Sequence, residues 1–368
     1  MMQVRDHRTA LLEPKISASS TGSVPELPQA SSGLATADGV EIGAQNTNSE
    51  NPSSQTLSLL KPKSAGVNLH TSSTYTSGES DFIYSSLNRR RETIKLKKDL
   101  PDPKLPGDMR GKFCAQNNYE LFAADGPSPA DVAQGNLGDC YFLATLASLA
   151  QNRPDKIKEM IRDNGDGTFS IRFYAKKSIF HKRKPVWIKI DDQLPQGVYS
   201  KRKLFAQTKD TDRDGQKELW VALVEKAFAV FNDQHHVVLG TRKKGYDGIG
   251  QGGFGHWAHR ALTGEKATIR LNFFMPKRRL WKKLSRANEG HFVALASKGT
   301  SDSSFIADGI AGNHLYSVLA TKTHKGKRYV KLRNPWGQCE PGNRKGDGVF
   351  WIEFSKCKKL FSQTHYSR

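Results

Sequence analysis

Long apolar runs are missing from this 368-residue chain: none approaches the ~20 residues that a membrane helix needs, so no transmembrane segment is expected. The opening residues, MMQVRDHRTALLEPKISASS, are charged and carry no apolar central stretch, so no secretory signal is expected. Cysteine is scarce. Cys114, Cys140, Cys339 and Cys357 are too few and too scattered for a disulfide scaffold, and no C-x-x-C pair marks a zinc site. A reducing compartment, intracellular and cytoplasmic, is the expectation. Acidic residues are also short, 36 Asp and Glu against 57 Lys and Arg, a formal charge of +21. Such an excess suits anionic partners, although no nucleic-acid-binding motif accompanies it.

These shortages are uneven along the chain. Residues 1–100 hold 17 Ser and 9 Thr, no Trp and no Cys, and are nearly neutral, with 11 basic and 10 acidic residues. All six Trp lie between Trp187 and Trp351, and the last 268 residues carry +20 of the charge. Tracts such as SASSTGSVPELPQASSG cannot bury enough apolar area to offset the entropy of ordering, so 1–100 reads as a disordered N-terminal region. Its one basic cluster, RRRETIKLKK (Arg89 to Lys98), reads as a solvated linker or the start of a short helix, with an anchor or targeting patch as the alternative.

From about Gly111 the texture changes. LGDCYFLATLASLAQN (Leu137 to Asn152) predicts a helix of about four turns, capped by Asp139 and stopped by Arg153-Pro154. GTFSIRFYAKK and KPVWIKIDDQLP read as strands, with an Asn164-Gly165 turn before them. KELWVALVEKAFAVFN (Lys217 to Asn232) places Leu219, Ala222, Leu223 and Phe228 at helical spacing, an amphipathic helix. LGTRKKGYDGIGQGGFG then holds seven Gly in seventeen residues and reads as a loop and hinge. After a short helix in KRRLWKKLSRANEG come HFVALAS, HLYSVLATKT, KRYVKLRNPW and GVFWIEF, which predict an antiparallel sheet closing the chain. A helical half followed by a sheet half is α+β.

Cys140 falls where the first helix begins. Unpaired N–H groups and the dipole at that end favour thiolate, the form a nucleophile needs. A buried Cys acting as a small hydrophobe is the ordinary alternative. The segment HLYSVLATKTHKGKRYVKLRNPW folds as a hairpin about Gly326, pairing residues whose numbers sum to about 650, which sets His314 opposite Asn334. An imidazole held by an amide oxygen keeps one tautomer and can aim its other nitrogen at a thiol. Taken singly, His314 is a strand-end histidine and Asn334 a turn residue before Pro335; with Cys140 they supply base, orienter and nucleophile. Gln134, six residues before the Cys, can join the nucleophile's own N–H in stabilising an oxyanion, or be a solvated loop residue. Trp336 can shield the His–Asn hydrogen bond from water or simply be a core aromatic.

QGNLGDCYFLATLASL, ELWVALVEKAFAVFN, GNHLYSV and LRNPWG, in that order from about Arg110 onward, resemble the protease core of calpains, and IDDQLP and DGVFWIEF have counterparts there too. The resemblance implies a papain-like, two-lobed cysteine protease core: a helical lobe at 105–250 carrying Cys140 and a β-rich lobe at 251–368 carrying His314 and Asn334, hinged near Gly250. It implies an endopeptidase working on protein substrates through a thioester, with Cys140 as nucleophile, His314 as base, Asn334 as orienter, Gln134 as oxyanion donor and Trp336 as shield. Tyr141 stands where the family usually has Trp. No acidic C2-like or EF-hand domain is expected after the core, so regulation through those parts is expected to be absent.

The family core also implies regulatory Ca²⁺. Gly126 through its carbonyl, Asp131 and Glu218 match a first-lobe site, and Glu340 and Asp347 a second-lobe one. Val349 replaces an acidic residue and the Trp336–Asp347 loop is short, so the second site is expected to be weak. DTDRDG (Asp210 to Gly215) begins like an EF-hand loop, but position twelve is Val221 where Glu is needed, which favours a solvated acidic loop.

Two other functions fit the residues. One is a catalytically silent scaffold binding polyanions or anionic surfaces through HKRK (His181 to Lys184), RKK (Arg242 to Lys244) and PKRRLWKK (Pro276 to Lys283). The other is a thiol acyltransferase of transglutaminase type, in which an amine replaces water as acceptor.

Overall fold

Ten consecutive buried residues, Tyr141 to Ala150, give helix α1 (Cys140–Asn152) no solvated face. A helix apolar all round belongs inside a domain, and everything else in the first half of the fold is laid around it. The computed structural model describes residues 100–117, 119–176, 181–200, 202–208, 217–339, 341 and 346–368. The Ser/Thr-rich region 1–99 with its basic cluster, the acidic run Asp210 to Gly215 and Glu340 lie outside the described residues.

Arg153 ends α1, and Pro154 starts α2 (Pro154–Met160), where a missing N–H costs nothing. Three antiparallel strands follow, β1 (Ile161–Asp163), β2 (Thr168–Ala175) and β3 (Lys184–Asp191), with β2 in the middle. Their inward residues Phe169, Ile171, Phe173, Ile188 and Ile190 meet α1 and α3 (Trp220–His235) in the first apolar core. Phe142 stacks on Phe228 at 4.0 Å, and Phe173 on Phe231 at 4.8 Å. Helix α3 is not the amphipathic surface helix its spacing predicts. From Trp220 to Ala229 every residue is buried, Glu225 and Lys226 included, because α1, the sheet and the loops pack around it, and only its last turn reaches solvent.

The glycine-rich run also differs from expectation. It contains α4 (Gly245–Ile249) and the first residue of α5 (Gly255–Thr263). Gly245 sits at φ 61°, where an added Cβ would meet the Lys104 backbone at 2.3–2.9 Å, so the glycine serves close packing.

The second core belongs to one six-stranded antiparallel sheet. Its strands are β4 (Ala267–Leu271), β5 (Val293–Ser297), β6 (Leu315–His324), β7 (Lys327–Arg333), β8 (Val349–Glu353) and β9 (Phe361–Ser367), in the order β4-β9-β5-β6-β7-β8. Helix α6 (Lys277–Leu284) inserts Leu280 and Leu284, and α7 (Phe354–Leu360) inserts Phe354, Cys357 and Leu360. The predicted helix over KRRLWKKLSRANEG is α6 followed by a 3₁₀ turn, Ser285–Glu289. The β6–β7 hairpin turns at Lys325-Gly326, and its pairs Ser317–Arg333 and His324–Lys327 match the expected register. The sheet does not end at β8. Helix α7 carries the chain back so that β9 runs between β4 and β5, hydrogen-bonded on both sides. The architecture is α+β with a papain-like, two-lobed plan.

Candidate active site

The loop that delivers Cys140 is built on glycine. An added Cβ on Gly135 would lie 2.4 Å from the Phe205 carbonyl oxygen, and one on Gly138 would lie 2.5 Å from that of Gly250. Both contacts are to backbone, which cannot swing aside, so only glycine lets the loop lie this close beneath the helix start. Asp139 takes the N-cap position of α1 without capping it. Its carboxyl is instead buried and coupled to that of Glu225, whose oxygens accept from the Ala206 N–H at 3.1–3.2 Å. Burial pushes Asp139 up to about 7 and Glu225 well above its ordinary range, so the two carboxyls hold a proton between them directly behind the cysteine.

Cys140 is half-buried at the first position of α1. Helix α1 packs against β6, where the Leu315 N–H acts to favour the Cys140 thiolate. His314 precedes Leu315 and is 1% exposed. Its Nε2 meets Asn334 Oδ1 at 2.9 Å, and its Nδ1 has no hydrogen-bond partner among the described residues. Asn334, fully buried, also accepts from the Trp336 N–H at 3.1 Å. The Trp336 ring lies 4.6 Å from the imidazole, and Tyr316 packs edge-on at 5.1 Å. The His–Asn bond is closed to water by these rings. Gln134 comes from the first lobe: its N–H donates to the Pro335 carbonyl at 2.8 Å and its side-chain nitrogen to the Leu137 carbonyl. An amide nitrogen has two hydrogens, so one stays available.

Charge on the thiol and imidazole departs from the expected thiolate. Burial pushes the Cys140 thiol up to about 12, against the Leu315 N–H, and the charges of Asp302 and Asp139 add to the rise. Burial likewise pulls His314 down to about 4, against its bond to Asn334. Desolvation outweighs the helix end, and both shifts favour an uncharged thiol–imidazole pair.

The family model described as calpain family cysteine protease matches residues 104–344. The chain belongs to the calpain family of cysteine proteases. It is 32% identical over 228 residues to the calpain-type cysteine protease DEK1 of Arabidopsis thaliana, covering 59% of this chain and 9% of that protein. Calpain-13 of Rattus norvegicus is 31% identical over 239 residues, covering 62% of this chain and 32% of that one. The rat calpain-2 catalytic subunit is 26% identical over 286 residues, 67% of this chain and 36% of its own. The chain therefore spans between about a tenth and a little over a third of the length of these calpains.

In this calpain-family chain Tyr141 is buried, and its hydroxyl finds the Ile249 carbonyl at 3.1 Å, so the phenol is satisfied. The first-lobe calcium set fits a metal poorly. Asp131 accepts from the Ser128 N–H and hydroxyl at 2.7 and 2.6 Å and from Trp220 Nε1 at 3.0 Å. The Lys158 ammonium lies against Gly126, 2.8 Å from where a Cβ would stand. Glu218 is buried on a two-residue strand before α3. In the second lobe, Asp347 accepts from the Val349 N–H at 2.9 Å. Among the described residues no group of three or more His, Cys, Asp or Glu is placed to hold a metal ion, and Ca²⁺ wants six to eight oxygens.

Sequence reasoning missed the Asp139–Glu225 pair and Arg333. The Arg333 guanidinium reaches from β7 across to the first lobe, donating through Nη2 to the carbonyls of Ala130 and Val132 at 3.1 and 2.6 Å. Burial lowers its pKa to about 10, opposed by Asp131 and Asp347, so it stays a cation.

Proposed function

We propose that this chain is a cysteine endopeptidase with Cys140 as nucleophile, His314 as base, Asn334 as the residue that orients His314, and Gln134 as oxyanion donor. The observation that carries it is the buried 2.9 Å bond from Asn334 to His314 Nε2, which leaves Nδ1 as the ring atom without a partner, one residue from the backbone N–H that acts to favour the Cys140 thiolate. Starting from the neutral pair, sulfur attacks a peptide carbonyl while its proton passes to His314 Nδ1. The resulting oxyanion meets the free hydrogen of the Gln134 amide and the Cys140 N–H, one of the donors that a helix start leaves unpaired. The imidazolium then protonates the leaving amine, and water, deprotonated by the same nitrogen, hydrolyses the thioester. Trp336 keeps water off the His314–Asn334 bond throughout. Protein substrates follow from this chemistry, and so few cysteines accord with a reducing, intracellular setting.

The step sequence uses protein groups alone, because Asp131 is already committed to Ser128 and Trp220. Casein or fluorogenic-peptide hydrolysis by wild type and Cys140→Ala, each with Ca²⁺ and with chelator, is the test. Removing the nucleophile is expected to cost at least ~1,000-fold in kcat. An epoxide inhibitor is expected to label Cys140 by mass spectrometry, and wild-type rates with Ca²⁺ and chelator to be similar. Unchanged hydrolysis by Cys140→Ala would refute the assignment. A silent polyanion scaffold would leave the buried His314–Asn334 pair without a use, and amine incorporation in place of hydrolysis would mark an acyltransferase.

A further inference from the structure

Two phenylalanines stand in solvent where the fold has every means to bury them. Phe273 and Phe274 are 80% and 76% exposed, side by side with ring centroids 5.0 Å apart, and the preceding Leu271 is 50% exposed. Their exposure is fixed by the loop. Asn272, fully buried, donates from its backbone to the Ser362 carbonyl at 2.8 Å and from its amide to the Phe361 carbonyl at 3.2 Å. Met275 plugs the second core, and Lys358 donates to the carbonyls of Phe273 and Met275 at 3.2 and 2.9 Å. Anchors on both sides hold the two rings outward.

Charge surrounds them, all of one sign. Between Lys266 and Asn288 the chain has eight Lys or Arg and no Asp or Glu. Arg270 before the loop, and Lys277, Arg278, Arg279 and Lys282 on α6 after it, are exposed. Rigid aromatic tips ringed by cations are the chemistry of an anionic bilayer surface, where rings enter the acyl boundary and Lys and Arg stay at the headgroups. The two rings meet at 87°, so they offer no parallel platform for stacking bases, and three exposed apolar side chains fall short of a stable protein interface.

We propose that the Phe273–Phe274 loop and α6 dock this protein on membranes bearing anionic lipid. The sheet register adds a consequence. Leu271 pairs with Gln363, Gln363 with Ala296, and Ala296 with Leu315, a straight row from the loop to the residue beside His314. Three strand spacings put Leu271, at the edge of the docking loop, roughly 15 Å from Leu315, so docking brings the sheet that carries His314 close to the bilayer surface.

Co-sedimentation of the full chain tests this with phosphatidylcholine vesicles and with vesicles containing about 30 mol% phosphatidylserine, at about 0.15 M salt. Binding is expected only to the anionic vesicles. Phe273→Ala/Phe274→Ala is expected to weaken it at least ~10-fold, and Arg278→Glu/Arg279→Glu to abolish it, with soluble-peptide hydrolysis unchanged in both. No binding to anionic vesicles, or binding that survives loss of the two rings, overturns the proposal. The second result would assign lipid affinity elsewhere, such as Arg89 to Lys98. A concentration-dependent dimer that the Phe variant abolishes, without vesicle binding, overturns it in favour of a second copy. Because the readout is lipid binding, it succeeds or fails independently of peptidase activity.

Discussion

At the scale of single residues, the carboxyl pair behind Cys140 is the feature with the clearest energetic signature. Asp139 and Glu225 are buried together with one proton shared, and burial raises both above the ordinary carboxylate range. In the unfolded chain each releases its proton near pH 4. Raised folded values mean that this stabilisation is fully present below about pH 4 and is lost as pH rises through about 7. Glu225→Gln keeps a donor toward Asp139 and an acceptor for the Ala206 N–H but cannot titrate. The free energy of urea unfolding in wild type is expected to fall, relative to Glu225→Gln, by on the order of 2–4 kcal/mol between about pH 4 and 7. Parallel pH profiles for the two proteins would disprove the shared proton. Nothing local in the sequence announces this pair, since the partners are far apart in sequence, Asp139 reads as a helix cap and Glu225 as an ordinary surface acid. The same holds for the thiol: its place at a helix start is legible, but the sign of its shift is set by burial, which only tertiary packing supplies.

At the scale of elements, α3 shows how a charged pattern can hide a core helix. Lys226, with a 1% exposed side chain, donates to Asp102 and Asp191 at 2.6 Å each and to the Gln193 carbonyl at 2.7 Å, using all three ammonium hydrogens. Asp191 is fully buried, while Asp102 is 27% exposed. Lys226→Met therefore strands Asp191 in the core and is expected to cost about 3–5 kcal/mol in urea unfolding, and Asp102→Asn less. A loss below about 1 kcal/mol would show that Asp191 finds water or another donor. Elements with a strong internal period were legible: α1 from its unbroken apolar run, the β6–β7 hairpin from its turn and alternation. Strand β9, Phe361–Ser367, was not. Its FSQTHYS is polar for a strand flanked on both sides, and its buried Thr364 and His365 are accommodated by neighbours that no local pattern reveals. Helix α4 was missed because its glycines, which lower helix propensity, are demanded by backbone contacts from elsewhere in the chain.

At the scale of the whole molecule, the two lobes meet through apolar packing, with Phe292, Ala294 and Leu315 joining the first core, and through a few directed hydrogen bonds. Arg333 donates to the Ala130 and Val132 carbonyls, Gln134 to Pro335, and the Ser317 hydroxyl to the Ala144 carbonyl at 2.6 Å. The Arg333 cation is favoured by the charges of Asp131 and Asp347. Arg333→Met removes that cation and both donations while preserving length. It is expected to lower the fraction of molecules that an epoxide inhibitor can titrate by about 10-fold, as the loss of about 1.4 kcal/mol of lobe pairing would, with folded secondary structure retained. Full titration of Arg333→Met would show that the lobes are held by the remaining contacts.

Arg333, Asn334 and Pro335 are consecutive. One grips the opposite lobe, the next holds the imidazole, and the third receives the backbone N–H of Gln134. In the proposed mechanism three requirements thus hang on a single stretch of backbone, so they are met together or lost together. Output is then set by head-count: a population of molecules either wholly competent or wholly idle, with turnover per titrated site nearly constant while the number of such sites varies.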